Sequence, residues 1–307
     1  MELRQLEYFV AVAEEANFTR AAERVHISQS GVSAQIRQLE HELGATLIDR
    51  SGRVATLTTA GKALLEHARA ALASVDAGRQ AVDDVSGLLR GRLVVGMVNG
   101  CVIPALFEAL AAFHTAAPGV EIALYEDNSD RLIEHVRTGS TDLALIGAAG
   151  APPSGLGSLT IISEPLVAAV PAGHPLAGRS RVTLADVTAY PIACLPTGTG
   201  IRTVFDEACI AAGVKPDITF QASAPVAVAD LAMRGLGVAI LSQSMVNNSP
   251  SPSTVDSRLT ALVVDDIPAP ALLAVIWAAT QSPALRELLV HTRKAFAAQP
   301  LSPAAQP

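Results

Sequence analysis

The stretch HISQSGVSAQIRQLEHELG, residues 26–44, opens with small polar residues and runs into regularly spaced aliphatics. Stepped at about 100° per residue, Val32, Ile36, Leu39 and Leu43 fall on one side, the expected buried stripe of a helix. The opposite side presents Ser30, Ala34, Arg37, Gln38 and His41, with Gln29 and Ser33 at its N-terminal edge. Such small and amide-bearing side chains fit a major groove about 12 Å wide, where Gln and Arg read adenine and guanine edges. A solvated helix face is the plainer reading of the same pattern. The flanking residues decide between them.

Upstream, Leu3, Leu6, Phe9, Val10 and Ala13 repeat at helical spacing. Asn-Phe-Thr at 17–19 supplies a cap, and a short helix follows with Ala21, Ala22 and Val25 inward. Ser28 is placed to cap the next helix, which leaves a tight turn of His26 and Ile27. A short helix, a tight turn and an amphipathic second helix outline a helix-turn-helix. His26 stands where many such turns carry glycine. Downstream, residues 46–48 and 54–57 flank a Ser51-Gly52 turn and read as a small hairpin, with Arg50 and Arg53 beside its tip. These arginines are placed either as a wing reaching phosphates or a minor groove, or on a plain surface turn.

From Thr59 a helix without proline carries Leu64, Ala68, Ala71, Val75, Gly78, Val82, Val85 and Leu89 in alternating steps of four and three. That heptad seam predicts pairing with a second copy through Leu64, Ala68, Ala71, Val75, Val82 and Val85. Packing on its own wing is the competing explanation. Two DNA-reading units tied this way predict a dimer on a twofold site.

The totals constrain the class. The chain has 307 residues, half of them apolar, and a formal charge of −7. Acidity argues against non-specific nucleic-acid binding, yet residues 17–62 hold six Lys/Arg against four Asp/Glu, a basic island. Cys101, Cys194 and Cys209 form no CxxC pair, which points away from zinc or a disulfide framework and toward a reducing compartment. No leader-like N-terminus and no apolar run of membrane-spanning length appears, so a cytoplasmic protein with no membrane partner is expected.

Beyond a hinge at SGLLRGRL, strand and helix alternate. Strands at 92–98, 120–126 and 142–147 with helices at 102–114 and 129–138 make one βαβαβ unit. Strands at 191–195, 217–222 and 238–241 with helices near 200–212 and 225–234 make another. LVAAV (166–170) and ALLAV (271–275) read as strands crossing between two lobes, and a last helix spans 283–297. Ligands of open α/β sheets sit beyond the carboxyl ends of strands, where helix N-termini offer free N–H groups. That rule nominates Asn99, Gly100, Cys101, Asn128, Ser129, Gly147, Thr197, Thr199, Ser223 and Pro225, with Ser129 and Thr199 as natural caps. Arg202, on the first turn after Gly200, is a possible anion partner or a surface residue. The ring suits a small carboxylate or similar polar metabolite; no cofactor or metal is implied.

The string FTRAAERVHISQSGVSAQIRQLEHELGATLIDRSGRVATLTTAGKALL (18–65) resembles the winged helix-turn-helix of LysR-type transcriptional regulators, and the two lobes resemble that family's periplasmic-binding-protein-like effector domain. The resemblance implies an α/β multidomain chain: a winged helix-turn-helix at 1–58, a linker and dimerisation helix at 59–89, and an effector domain at 90–300. Lobe 1 would take 91–164 and 268–298 and lobe 2 would take 165–267, with a disordered tail at 301–307. It implies a DNA-facing set of Thr19, Arg20, Ser28, Gln29, Ser30, Ser33, Ala34 and Arg37, with Arg50 and Arg53 on the wing. Promoter DNA, a second copy or a dimer of dimers, and RNA polymerase are the implied partners. Ser30-Gly31 replaces the family's usual Pro-Ala at the leading edge of the recognition helix.

No GxSxG elbow, HExxH or clustered carboxylates support an enzyme, and His174 in GHPLAG needs no catalytic role. Peroxide-sensing members of the family use two cysteines near the second-lobe helix. Here Cys209 falls close to the resolving position but Gly200 stands at the reactive one, so Cys194 and Cys209 read as packing residues.

Overall fold

A computed structural model describes residues 1–52, 54–85, 89–247 and 259–298. The chain divides into two compact units, the first made of residues 1–88 with 138–140 and the second of the remainder. The first holds α1 (Leu3–Glu15), α2 (Phe18–Arg24), α3 (Gln29–Leu43), the hairpin strands β1 (Ile48–Asp49) and β2 (Thr56–Leu57), and α4 (Thr59–Val85). Asn17 Oδ1 accepts from the N–H groups of Thr19 and Arg20 and so caps α2, while Ser28 Oγ accepts from Gly31 N–H and caps α3. Between them His26 takes φ 56°, the left-handed conformation that a tight turn demands and that glycine adopts without strain. Gly44, also left-handed, ends α3.

Phe9, Val12, Ala21, Val32, Ile36, Leu39 and Leu47 are fully enclosed in this unit's core. Leu43, read as part of the buried stripe, is 42% exposed. It is the last helical residue before the Gly44 cap, past the end of the stripe that the core covers. The heptad seam of α4 divides in a similar way. Ala68 is buried and Leu64 and Ala71 pack partly on the unit's own core, so this half of the seam is engaged within the chain. Val75 is half-buried; the side chains of Val82 and Val85 lie outside the described residues, as do Arg53 and the tail.

The second unit contains β3 (Gly91–Val98), α5 (Pro104–Ala116), β4 (Val120–Asp127), α6 (Ser129–Arg137), β5 (Leu143–Ala149) and β6 (Gly157–Glu164). It continues with β7 (Leu166–Pro171), β8 (Arg181–Val182), α7 (Leu184–Val187), β9 (Ile192–Cys194), α8 (Gly200–Ala212), β10 (Ile218–Gln221), α9 (Pro225–Met233) and β11 (Val238–Ser242). Last come α10 (Gln243–Asn247), β12 (Leu259–Val264), β13 (Ala271–Trp277) and α11 (Pro283–Ala298). Among the described residues these strands form a five-stranded sheet, β4-β3-β5-β13-β6, and a six-stranded one, β10-β9-β11-β7-β12-β8.

The two βαβαβ runs supply the parallel cores β4-β3-β5 and β10-β9-β11, each continued by antiparallel strands. LVAAV and ALLAV do not cross between sheets: β7 stays in the six-stranded sheet and β13 in the five-stranded one. The chain passes from one sheet to the other at Pro165, between β6 and β7, and again over residues 265–270. Strands β6, β8 and β12 escape the sequence reading because each is short, an edge, or alternates only weakly.

Candidate DNA-reading face and effector cavity

Helix α3 offers Gln29, Ser30, Ala34 and Arg37 to solvent over its first turns, with Ser33 half-buried beside them. Ser28 is exposed but its Oγ is engaged by Gly31 N–H and lies 3.1 Å from Ser30 Oγ. Arg37 makes no ion pair among the described residues. The other arginines assigned to this face are engaged within the protein. Arg20 Nη2 donates to Glu15 O at 2.6 Å and its guanidinium also meets the Glu15 carboxylate at 3.6 Å. Arg50 Nη2 donates to Glu40 Oε2 at 2.8 Å, and its guanidinium lies 5.2 Å from the Phe18 ring centroid.

Glu40 was not singled out by the sequence, yet it organises the wing. Its Oε1 accepts from Leu47 and Ile48 N–H, so one carboxylate holds the first hairpin strand and Arg50 against α3. No local sequence signal marks it, because its partners follow at seven to ten residues, past the Gly44 cap that ends α3.

A cavity of about 500 Å³ lies in the second unit, where the ends of its two sheets meet. From the five-stranded sheet come Val98, Asn99, Gly100, Cys101, Ser129, Gly147, Ile162 and Glu164, with Ala271, Leu272 and Leu273 of β13. From the other side come Leu195, Thr199, Gly200, Ile201, Ser223, Pro225, Val226, Ser242, Ser244, Met245 and Asn247. Close backbone approaches join the two sides. A Cβ on Gly200 would lie 2.4 Å from Ala148 N and 2.5 Å from Gly147 C, and Gly100 (φ +67°) sits against Ala224.

Of the residues nominated from sequence, Asn99, Gly100, Cys101, Ser129, Gly147, Thr199, Ser223 and Pro225 line this cavity. Asn128, Thr197 and Arg202 do not. Asn128, rather than Ser129, caps α6, its Oδ1 accepting from Arg131 N–H; Ser129 Oγ instead accepts from Gly147 N–H and ties α6 to β5. Thr197 is exposed on the preceding loop. Arg202 is turned to its own lobe: Nε donates to both Asp206 oxygens at 2.8 Å, and Nη1 reaches Leu195 O at 3.4 Å. An arginine four residues before an aspartate on one helix finds that partner first.

Thr199 donates its hydroxyl to Pro196 O, so no side chain caps α8; the starts of α5 and α9 also lack side-chain caps. The N–H groups opening α8 and α9 belong to cavity-lining residues, Gly200, Ile201 and Val226. Ile162 and Glu164 escaped the sequence reading because β6 carries too weak a pattern to be read as a strand, whereas Ser242, Ser244 and Met245 lie at and just beyond the carboxyl end of β11, where the strand-end rule applies but no glycine or capping pattern marks them. Burial pushes the Cys101 thiol up to about 11, with Glu126 adding to it, and Cys209 likewise to about 11, with Asp206 adding. Burial also raises Cys194, so none of the three is a ready thiolate. Among the described residues no helix is long and apolar enough to cross a membrane, and no cluster of three or more His, Cys, Asp or Glu could hold a metal.

Comparison with known proteins places both units. Residues 3–62 match the family model of the bacterial regulatory helix-turn-helix protein, lysR family, and residues 86–297 match the LysR substrate binding domain. The chain is 34% identical over 252 residues to the HTH-type transcriptional regulator AlsR of Bacillus subtilis (strain 168), covering 80% of this chain and 81% of that one. It is 36% identical over 242 residues to a probable hydrogen peroxide-inducible genes activator of Mycobacterium avium, covering 78% of each. Full-length CbnR in complex with its target DNA aligns with a TM-score of 0.57 and 26% identity, over 96% of this chain and 100% of that one. The chain belongs to the LysR family of DNA-binding transcriptional regulators, which are not enzymes, and carries the family's effector-binding domain behind its helix-turn-helix.

Proposed function

We propose that this regulator acts as a homo-oligomer that reads a twofold promoter site with α3 and answers to a small molecule held in the 500 Å³ cavity. The observation that carries the DNA reading is Arg37, exposed at the centre of the α3 face with no ion pair among the described residues, while Arg20 and Arg50 are engaged internally. Gln29, Ser30, Ser33 and Ala34 complete the base-facing set, with Thr19 and Ser28 at its margin. Arg50 serves mainly to hold the wing. The cavity volume falls in the range of small-molecule sites, roughly 300–1,000 Å³. A ligand there, touching both sheets, favours whichever approach of the lobes encloses it and so biases the placement of paired DNA-binding units and their contact with polymerase.

Arg37→Ala, measured by band shift on the DNA upstream of the regulator's own gene and on a scrambled duplex, is expected to cost about 1–3 kcal/mol on the cognate site only. Equal losses on both duplexes make Arg37 a phosphate contact. Absence of any salt-sensitive, sequence-preferring shift by the unmodified protein overturns the DNA reading itself.

The peroxide response named for the Mycobacterium avium relative is not carried over to this chain. Gly200 leaves no thiol at the reactive position, and the cysteines present are held protonated by burial.

A further inference from the structure

The cavity's charge is one-sided. Among the described residues its lining contains a single carboxylate, Glu164, and no Lys, Arg or His. The arginine nearest in sequence to the α8 entrance, Arg202, is neutralised by Asp206. Glu164 makes no ion pair among the described residues: its carboxylate accepts only from the N–H and hydroxyl of Ser244. Beside the cavity a second acid, Glu126, accepts from Gly100 N–H at 3.3 Å. Val102 and Val226 line the same space while 70% and 45% exposed, two aliphatic side chains for which an apolar body is the natural cover.

The strand registers set the distance between the poles. Gly147, which packs at the start of α8, pairs with Leu273; Glu164 pairs with Ala271 one strand further on. Two strand spacings and two residues along the strands separate these backbones by roughly 11–12 Å. The uncapped N–H groups of α8 therefore lie at the far end of the cavity from the carboxylate. They present hydrogen-bond donors and a partial positive charge there, without the full charge that a carboxylate-only ligand would need to offset Glu164.

We propose that the effector bears a protonated amine. The ammonium sits on the Glu164 carboxylate, an apolar body runs between Ile162, Leu273, Val102 and Val226, and any acceptor group at the other end faces Gly200. This inference rests on the effector reading of the cavity and narrows it to one ligand class.

The test uses the purified full-length protein and three compounds that share one phenylpropyl framework: 3-phenylpropylamine, 3-phenylpropanol and 3-phenylpropionate. Thermal shift and calorimetry are expected to show binding of the amine, at least tenfold tighter than the alcohol, and no binding of the acid. Glu164→Gln keeps an acceptor for Ser244 and is expected to weaken the amine about tenfold or more with the ligand-free Tm unchanged. Glu164→Asp, which keeps the charge, is expected to retain the preference for amine over alcohol; its loss there too, with the ligand-free Tm lowered, assigns Glu164 a structural role and overturns the proposal. Binding of the acid in preference to the amine also overturns it while leaving the effector reading intact. Failure of all three compounds to bind at millimolar concentration overturns the proposal. Failure of a broad metabolite screen to shift Tm as well overturns the effector reading.

Discussion

At the scale of single residues, two positions in the DNA-binding unit show how local chemistry is overruled by surroundings. His26 holds a positive φ that costs a non-glycine residue about 1–2 kcal/mol, part of which glycine would lose again through its freer unfolded chain. His26→Gly is expected to stabilise by up to about 1 kcal/mol in denaturant unfolding; a lower midpoint would show that the imidazole makes a contact worth more than the strain. Glu14 is partly buried, which raises its pKa, but hydrogen bonds from Arg69 at 2.8 Å and Arg24 at 2.7 Å outweigh burial and leave it below the ordinary 4.5. A depressed carboxylate contributes stability that is complete above the unfolded pKa and is lost as pH falls through the lower folded one. Glu14→Gln is therefore expected to cost about 1–2 kcal/mol at neutral pH and to flatten the loss of stability below pH 4.5. Parallel acid profiles for the two proteins would rule this out.

At the scale of elements, α3 was legible because a helix-turn-helix is a local motif: caps at Asn17 and Ser28, a tight turn and a 3.6-residue stripe all lie within thirty residues. Helix α4 was legible only as a helix. Its seam had two possible partners, and packing assigns Ala68, with Leu64 and Ala71, to the unit's own core. A neighbouring side, about 100° round the helix, leaves Ala63, His67, Ala70 and Ser74 exposed, again three and four apart. That face is the one we expect to meet a second α4, since small residues allow close approach of two helices. Ala70→Glu is expected to shift the mass in analytical ultracentrifugation toward monomer while the far-ultraviolet spectrum stays unchanged. An unchanged mass would place the dimer contact elsewhere.

At the scale of the whole molecule, the two-sheet unit depends on backbones that come too close for a side chain. Gly200 opens α8, which follows β9 of the six-stranded sheet, yet lies against Gly147 and Ala148 on β5 of the other sheet. Gly200→Ala is expected to push these apart and lower stability by about 1–3 kcal/mol, read as a lower Tm and weaker response to any cavity ligand. An unchanged Tm would mean the sheets slide without cost. Sequence alone determined the helix-turn-helix, the two βαβαβ runs and the family, because these rest on short-range periodicity, capping and a contiguous motif. It also reached the part of the cavity wall that lies at strand ends. Tertiary structure decided what Arg20 and Arg50 do, since each finds its acid through packing before it can reach a ligand, whereas Arg202 is held by the local spacing to Asp206 on its own helix. It likewise decided that Glu164 faces the cavity with no cation beside it among the described residues, a placement set by the pairing of β6 with β13 and invisible in an edge strand with weak alternation. Apart from the local Arg202–Asp206 pair, these side-chain partners depend on distances across the fold that no spacing along the chain encodes.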